Sequence, residues 1–217
     1  MANYFKRLPN IKYQNLLELD SPGLKVDAKN IFRRAKLRED ILSQTTYFED
    51  YFIVGDERPD NVAEKVYGDS DLDWVVLITN NILNIQNEWP MPTNLYNDYL
   101  LEKYGSYEEI YEIHHYESKR IKNSNGTIVF PEKLIVQENH TVEYYDGNLD
   151  QHVTISDCSS PITNYTYEER IQEQKRVIRI LKPLYLNIVF EDIDEIMSYR
   201  KGSTGFISRT LKDTESI

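Results

Sequence analysis

Gly55 to Asn81, GDERPDNVAEKVYGDSDLDWVVLITNN, sets two short helices back to back with their start and stop signals intact. Ahead of it, Tyr47-Phe-Glu-Asp-Tyr-Phe-Ile-Val54 is rich in aromatic and β-branched residues and runs into Gly-Asp, the composition of a short strand and its turn. The unit reads strand, turn, helix, turn, helix. The first helix is predicted to begin at Pro59, whose fixed φ suits the first helical position and whose missing N–H costs nothing there; Asp60 adds negative charge at the positive helix end. Val62, Ala63, Val66 and Tyr67 form its apolar face, and Gly68 supplies the left-handed residue that ends many helices. Ser70 with Asp73 three residues on resembles a capping box for the second helix. There Trp74-Val-Val-Leu-Ile78 is apolar at five consecutive positions, which at about 100° per residue leaves no polar face. Something must cover both sides of that helix, either the chain's own core or another protein.

The chain has 217 residues, 40% of them hydrophobic, enough for one large or two small domains with a true core. It contains no run of about 18 apolar residues, and Met-Ala-Asn-Tyr-Phe-Lys-Arg-Leu-Pro at the N-terminus lacks an apolar segment before a small-residue cleavage site. Neither a membrane span nor a secretory signal is expected, and folding in a cytoplasm is. Cys158 is the only cysteine, so no intrachain disulfide can form, and it is expected to be an inert, partly buried small residue. A net charge of −11 argues against nucleic acid or an anionic membrane as partner and leaves other proteins. Arg33-Arg34-Ala-Lys36-Leu-Arg38 is the one local basic cluster; a solvated face is its plainer reading, contact with an acidic neighbour the sharper one. Seventeen tyrosines suit extensive contacts, because the rigid amphipathic ring buries area at small entropic cost.

Residues 1–46 read as an N-terminal arm, broken at Leu8-Pro9-Asn10 and Ser21-Pro22-Gly23 with the strand-like Ile11-Lys-Tyr13 between. Residues 47–90 hold the two-helix unit. In 91–160, Thr93 is expected to cap a helix carrying Leu95, Tyr96, Tyr99, Leu100 and Tyr104 and closed by Gly105. Strands follow from Tyr111 to Ile155, with hairpin signals at Asn125-Gly126 and Asp146-Gly147. In 161–217, Thr166 and Glu169 suggest a capping box for a helix with Ile171, Val177, Ile178 and Leu181 on one side; Pro183 ends it, and Ile188, Phe190, Ile193, Ile196 and Met197 suit a second helix. From Gly202 the tail is expected to be loose.

Little in the chain points to catalysis. His114-His115, His140 and His152 lack helical i, i+4 spacing, and adjacent side chains on a regular strand face opposite ways, so no metal is expected. Glu57, Asp60, Glu64, Asp69, Asp71 and Asp73 cluster around the two helices, but acidic residues there already serve helix starts. No nucleophile elbow, P-loop or G-x-G-x-x-G occurs. No enzyme and no cofactor are expected.

Gly55-Asp56, Val62-Ala63, Tyr67-Gly68 and Asn80-Asn81 resemble a LysM-type βααβ module. Arg58-Pro59, Trp74 and the indistinct closing strand after Asn81 depart from that pattern. The departures fit GD-x-RPD-x-(I/V)A-x-K-x-YG…W-(V/I)-(V/I)-L…NNI, which resembles the baseplate wedge subunits of T-even-type contractile-tail phages. Tyr4-Phe5…Leu8-Pro9…Ile11…Tyr13, Asn30-Ile-Phe-Arg-Arg34, Trp89-Pro90, Tyr104-Gly105, His114-His115-Tyr116 and Ile180-Leu-Lys-Pro-Leu-Tyr185 extend the likeness over most of the chain. The resemblance implies an α+β protein with a small LysM-like module, an extended N-terminal arm, a middle β-hairpin region and a C-terminal helical pair. It implies a virion structural protein, assembled in the host cytoplasm in several copies, that joins wedge proteins to one another and to inner tail components. Tyr4, Phe5, Phe32, Arg33, Arg34, Tyr67, Trp74, Trp89 and Tyr185 are the interface candidates. The alternative is a peptidoglycan-binding LysM protein, with a sugar groove between the Gly55–Val62 turn and the loop after Asn81.

Overall fold

The computed structural model describes residues 3–14 and 25–213, and the chain divides into two units, Met1–Trp89 with Arg176–Ile217, and Pro90–Lys175. The breaker Ser21-Pro22-Gly23 and residues 214–217 of the tail lie outside the described residues. The first unit runs α1 (Tyr4–Arg7), β1 (Asn10–Gln14), β2 (Lys25–Lys29), α2 (Glu39–Leu42), β3 (Phe48–Phe52), α3 (Pro59–Tyr67), α4 (Asp73–Thr79) and α5 (Ile85–Glu88). The second holds α6 (Thr93–Tyr104), α7 (Tyr107–Ile110), β4 (Ile113–Ser118), β5 (Ile121–Lys122), β6 (Ile128–Phe130), β7 (Ile135–Val136), β8 (Val142–Asp146), β9 (Gln151–Ile155), β10 (Ser159–Thr163) and α8 (Asn164–Lys175). The chain then returns to the first unit with β11 (Val177–Leu181), α9 (Leu186–Met197), β12 (Phe206–Ser208) and β13 (Leu211–Asp213). The protein is thus mixed α and β, with several small sheets in place of one large one.

Local signals set α3 as the sequence implies. Pro59 opens it, and Gly68 closes it at φ 72°, a left-handed conformation costly for any residue with a Cβ. Arg58 N–H donates to the Asn61 carboxamide at 3.2 Å at the helix start. The junction to α4 differs from expectation: Asp69, not Ser70, caps a short turn by accepting from Asp71 N–H, and Asp73 takes the Trp74 N–H at 2.7 Å. A carboxylate nearer the break wins the capping role.

The strand that completes this unit does not follow Asn81. It is β11, which pairs antiparallel with β3 from Val177↔Phe52 to Leu181↔Phe48. Val177 to Leu181 was expected to continue a helix; instead α8 ends at Lys175 and β11 alternates over its first four residues, Ile178 and Ile180 facing inward while Val177 and Arg179 face out, before the buried Leu181. Beyond β11, α9 presents Val189, Ile193 and Met197 as a buried stripe, and Phe190 reaches the Trp74 ring at 5.8 Å. Trp74, Val75, Val76 and Ile78 are therefore buried by α3, β11 and α9 of the same chain. The chain's own core is thus the cover for Trp74 and its neighbours, rather than the interface that the family resemblance implies, and it comes from the adjacent α3 and from a return stretch far away in sequence. Each aliphatic side chain so enclosed contributes about 1.5–3 kcal/mol.

Within residues 1–46, Leu8, Ala35, Leu37 and Ile41 belong to that same core. Beside it lies a four-stranded sheet in the order β12-β13-β1-β2, in which β1 pairs antiparallel with β2 and parallel with β13. The described tail after Gly202 is consequently not loose: β13 pairs with β1, and β12 pairs with β13.

In the second unit β10, β4 and β7 form one sheet, and β5–β6 and β8–β9 are hairpins at the two Gly-containing turns. Ile121, Val142 and the buried Cys158 make a small core of their own. Thr93 is the first residue of α6 rather than its cap, and Thr163, not Thr166, caps α8 by accepting from the Thr166 N–H at 3.2 Å.

Candidate functional site

The interface candidates fall into two groups once placed. Trp74 is 6% and Trp89 5% exposed, so this chain already encloses both indoles. Trp89 Nε1 donates to the Glu57 carbonyl at 2.8 Å, and the Glu57 carboxylate accepts from Tyr51 Oη, Val54 N–H and Lys65. Burial pushes the Glu57 carboxyl up, but the bonds from Lys65 and Tyr51 outweigh it and leave its pKa lowered. Glu57 thus fixes the Gly55 turn. Its immediate neighbours gave little sign of this, because Tyr51 and Lys65 come from β3 and α3 and Trp89 from beyond α5.

Tyr4 and Tyr67 are half-buried against the same core; the Tyr4 ring sits 5.7 Å from Trp74, and burial raises the Tyr67 hydroxyl pKa. Tyr185 packs on Tyr47, its ring tilted at 33° with centroids 4.4 Å apart. Arg33 is held by carbonyls: its guanidinium donates to Ile196 O, Met197 O and Ser198 O at the C-terminus of α9 and lies 5.1 Å from the Tyr199 ring. A cation there complements the helix dipole. Arg34 reaches the Asn81 carboxamide at 3.2 Å. Of the nine candidates, Phe5 at 62% and Phe32 at 88% exposure keep the bulk of their apolar surface in water.

Phe32 stands on a turn held from several sides. Ile31 N–H bonds Lys29 O, Phe32 N–H bonds the Asn30 carboxamide, and Arg33 N–H bonds Asn30 O. Asn30 is itself tied to Pro9 O and to the Tyr199 hydroxyl. Ile31, not singled out in the sequence, is 67% exposed beside Phe32. A further open feature is the edge of the β3–β11 ribbon, where Phe52, Val54 and Val177 are exposed.

In the second unit many of the tyrosines serve its own helical layer. Glu168, buried on α8, accepts from Lys103, Tyr99 and Tyr104 of α6, while Tyr165 packs on Tyr96 and Tyr111. Burial raises the Glu168 pKa, and those donors, Lys103 first, pull it back below the usual carboxylate range.

The histidine pair departs from the regular-strand expectation. Opposite it the register slips, Ile162 pairing His115 and Thr163 pairing Ile113, so that a bulge at His114 brings both rings to one side. Their Nδ1 atoms stand 2.8 Å apart, an arrangement in which one carries the proton and the other accepts it. His114 stacks on Tyr167, and His115 Nε2 lies 3.3 Å from Glu117, which also takes Arg170. Among the described residues no three His, Cys, Asp or Glu side chains converge as metal ligands, and no helix is long and apolar enough to cross a membrane.

The surface of the first unit, with aromatic and aliphatic groups held out on pinned turns, is suited to contact between polypeptides. No curated protein matches the chain. The sequence pattern of the family described as base plate wedge protein 53 matches residues 5–195, nearly the whole length. The chain therefore belongs to the base plate wedge protein 53 family and is a structural component of the phage tail baseplate.

Proposed function

We propose that this protein works mechanically, as a joining piece that seats neighbouring wedge polypeptides, and inner tail components, on the first unit. The observation that carries the reading is the Ile31–Phe32 knuckle. Two large apolar side chains lie in water on a turn whose backbone and flanking residues are already hydrogen-bonded. Burying either would contribute about 1.5–3 kcal/mol. Because the turn is ordered beforehand, little of that gain would be lost to immobilising it. Phe5 and the Phe52–Val54 edge are secondary contacts of the same kind. We read β3, α3, α4 and β11 as a LysM-like βααβ arrangement put to assembly rather than to sugar recognition, and we assign it no catalytic step. Assembly in several copies in the host cytoplasm belongs to the same reading.

Size-exclusion chromatography with the other wedge subunits tests it. The chain should enter a larger complex, and Ile31→Ser with Phe32→Ser should weaken that complex by about 10²- to 10⁴-fold, the range set by losing both burials, about 3–6 kcal/mol. The variant's unfolding midpoint should not move, since neither side chain is buried in its own unit. Undiminished assembly of the double variant, or sedimentation of the chain with purified peptidoglycan, would overturn the reading.

A further inference from the structure

A cavity of about 830 Å³ opens in the first unit, walled by Arg33 and Arg38, by Asp192 and Glu195 of α9, and by Arg200, Arg209 and Lys212 beyond it. Five cations against two carboxylates make it a positive concavity on a chain of net charge −11. The cations are not equally engaged. Arg33 holds the α9 carbonyls, and Arg38 is bonded to Asp40 and lies 3.4 Å from the buried Asp192. Arg200, Arg209 and Lys212 make no side-chain hydrogen bond or ion pair with any described residue. Three uncommitted cations at one concavity repel one another, and a bound anion would relieve that.

We propose that this cavity receives a carboxylate-bearing segment of a neighbouring polypeptide, with one or two Asp or Glu side chains seated among Arg200, Arg209 and Lys212. The proposal rests on the joining function above and names the chemistry of the partner. Asn30 and Arg33, the residues that bracket the exposed Ile31 and Phe32, both line the cavity, so the apolar knuckle and the cationic hollow form one continuous surface. Such a surface fits a partner that offers an apolar pocket next to acidic side chains, the apolar part giving affinity and the charges giving register. A nucleic acid is a poorer occupant: its phosphates need a track of cations along a strand, and here they are confined to one hollow on an acidic chain.

Carbodiimide coupling tests this directly, because it joins a lysine amine only to a carboxylate. In the reconstituted wedge complex, the full-length chain should give an interchain amide between Lys212 Nζ and an Asp or Glu of a partner, absent in Lys212→Arg, which keeps the charge and should still assemble. In a second arm, a fluorescent Glu-rich peptide should bind the chain alone. The triple variant Arg200→Gln, Arg209→Gln, Lys212→Gln should weaken it at least tenfold, and Lys119→Gln with Lys122→Gln, in the other unit, should not. A complex that forms normally with the triple variant and yields no Lys212 adduct overturns the proposal, as does tighter binding of an oligonucleotide of equal charge than of the peptide. If the chain enters no wedge complex, the joining function fails and the peptide arm alone decides: a tenfold difference retains the carboxylate receptor, and no difference removes it.

Discussion

Replacing Asn80 with alanine should destabilise the first unit by about 2 kcal/mol. Its carboxamide sits at the end of α4 and ties that helix to a strand 99 residues later: Nδ2 donates to Arg179 O, and Oδ1 accepts from Arg179 N–H, each at 2.8 Å. Nδ2 also donates to Val76 O at 2.8 Å. Arg179 faces Asp50 in the β3–β11 register, at a position where its own N–H and C=O point away from β3. The side chain thus occupies the place a third strand would take. Three such bonds at roughly 0.5–1.5 kcal/mol each bracket the loss, and the lower half of that range applies because water can reach the exposed groups in the variant. The chain's two tryptophans, Trp74 and Trp89, both lie in the first unit, so tryptophan fluorescence during urea unfolding follows that unit selectively. Asn80→Asp keeps the acceptor and loses both donors, and it should forfeit more than half of the same stability. A loss below about 0.5 kcal/mol for Asn80→Ala, within the range of an ordinary surface substitution, would refute the reasoning.

Trp89→Phe removes the bond to the Glu57 carbonyl and part of a buried ring, and should cost about 1–3 kcal/mol by the remaining Trp74 fluorescence. Glu168→Gln should loosen the second unit by about 2 kcal/mol, read from the near-ultraviolet dichroism of its tyrosines. The wild-type unit should show the matching pH dependence. The folded pKa of Glu168 is depressed, so its contribution is complete above the ordinary carboxylate value, about 4.3, and is lost as pH falls through the folded value, whereas Glu168→Gln should lack that acid limb. Gly205→Ala drives a Cβ into the Asp213 carbonyl oxygen at a φ of +71°, and should raise hydrogen exchange in β12 and β13 while leaving the β3–β11 ribbon protected.

What was legible in the sequence was local chemistry. Pro59 and Gly68 mark α3 because their own dihedral limits suffice, and Asn125-Gly126 and Asp146-Gly147 mark hairpins for the same reason. Pairings across long separations were not. Val177-Ile-Arg-Ile-Leu181 carries apolar residues at spacings that serve a helix face or a strand equally, and only the open edge of β3 decides between them. Leu211-Lys-Asp213 looks like a polar tail until β1 pairs with it. The bulge at His114 is set by the register of β10, which the dipeptide His-His cannot reveal. The five apolar residues from Trp74 did state that both sides of α4 are covered, without stating by what. Residue type likewise could not separate Trp74 and Trp89, enclosed by their own chain, from Phe32, held out in water. The cationic hollow drew on Arg33 and Arg38, visible as a basic cluster, and on Arg200, Arg209 and Lys212, scattered through what read as a loose end.

Interruption of the first unit by the second has a consequence for biogenesis. The ribosome makes β3, α3 and α4 early, but β11 and α9 emerge only after Pro90–Lys175 is complete. Until then Trp74 to Ile78 has no lasting cover, and the nascent chain carries an adhesive helix at the stage when aggregation is most dangerous. The continuous second unit is free to fold in that interval, and once folded it presents its two ends as a tether far shorter than the same residues uncoiled, which lowers the entropic cost of bringing β11 back to β3. A release of the chain at Lys175 should therefore yield a folded second unit attached to an unfinished, aggregating first one, which Arg176–Ile217 is needed to complete.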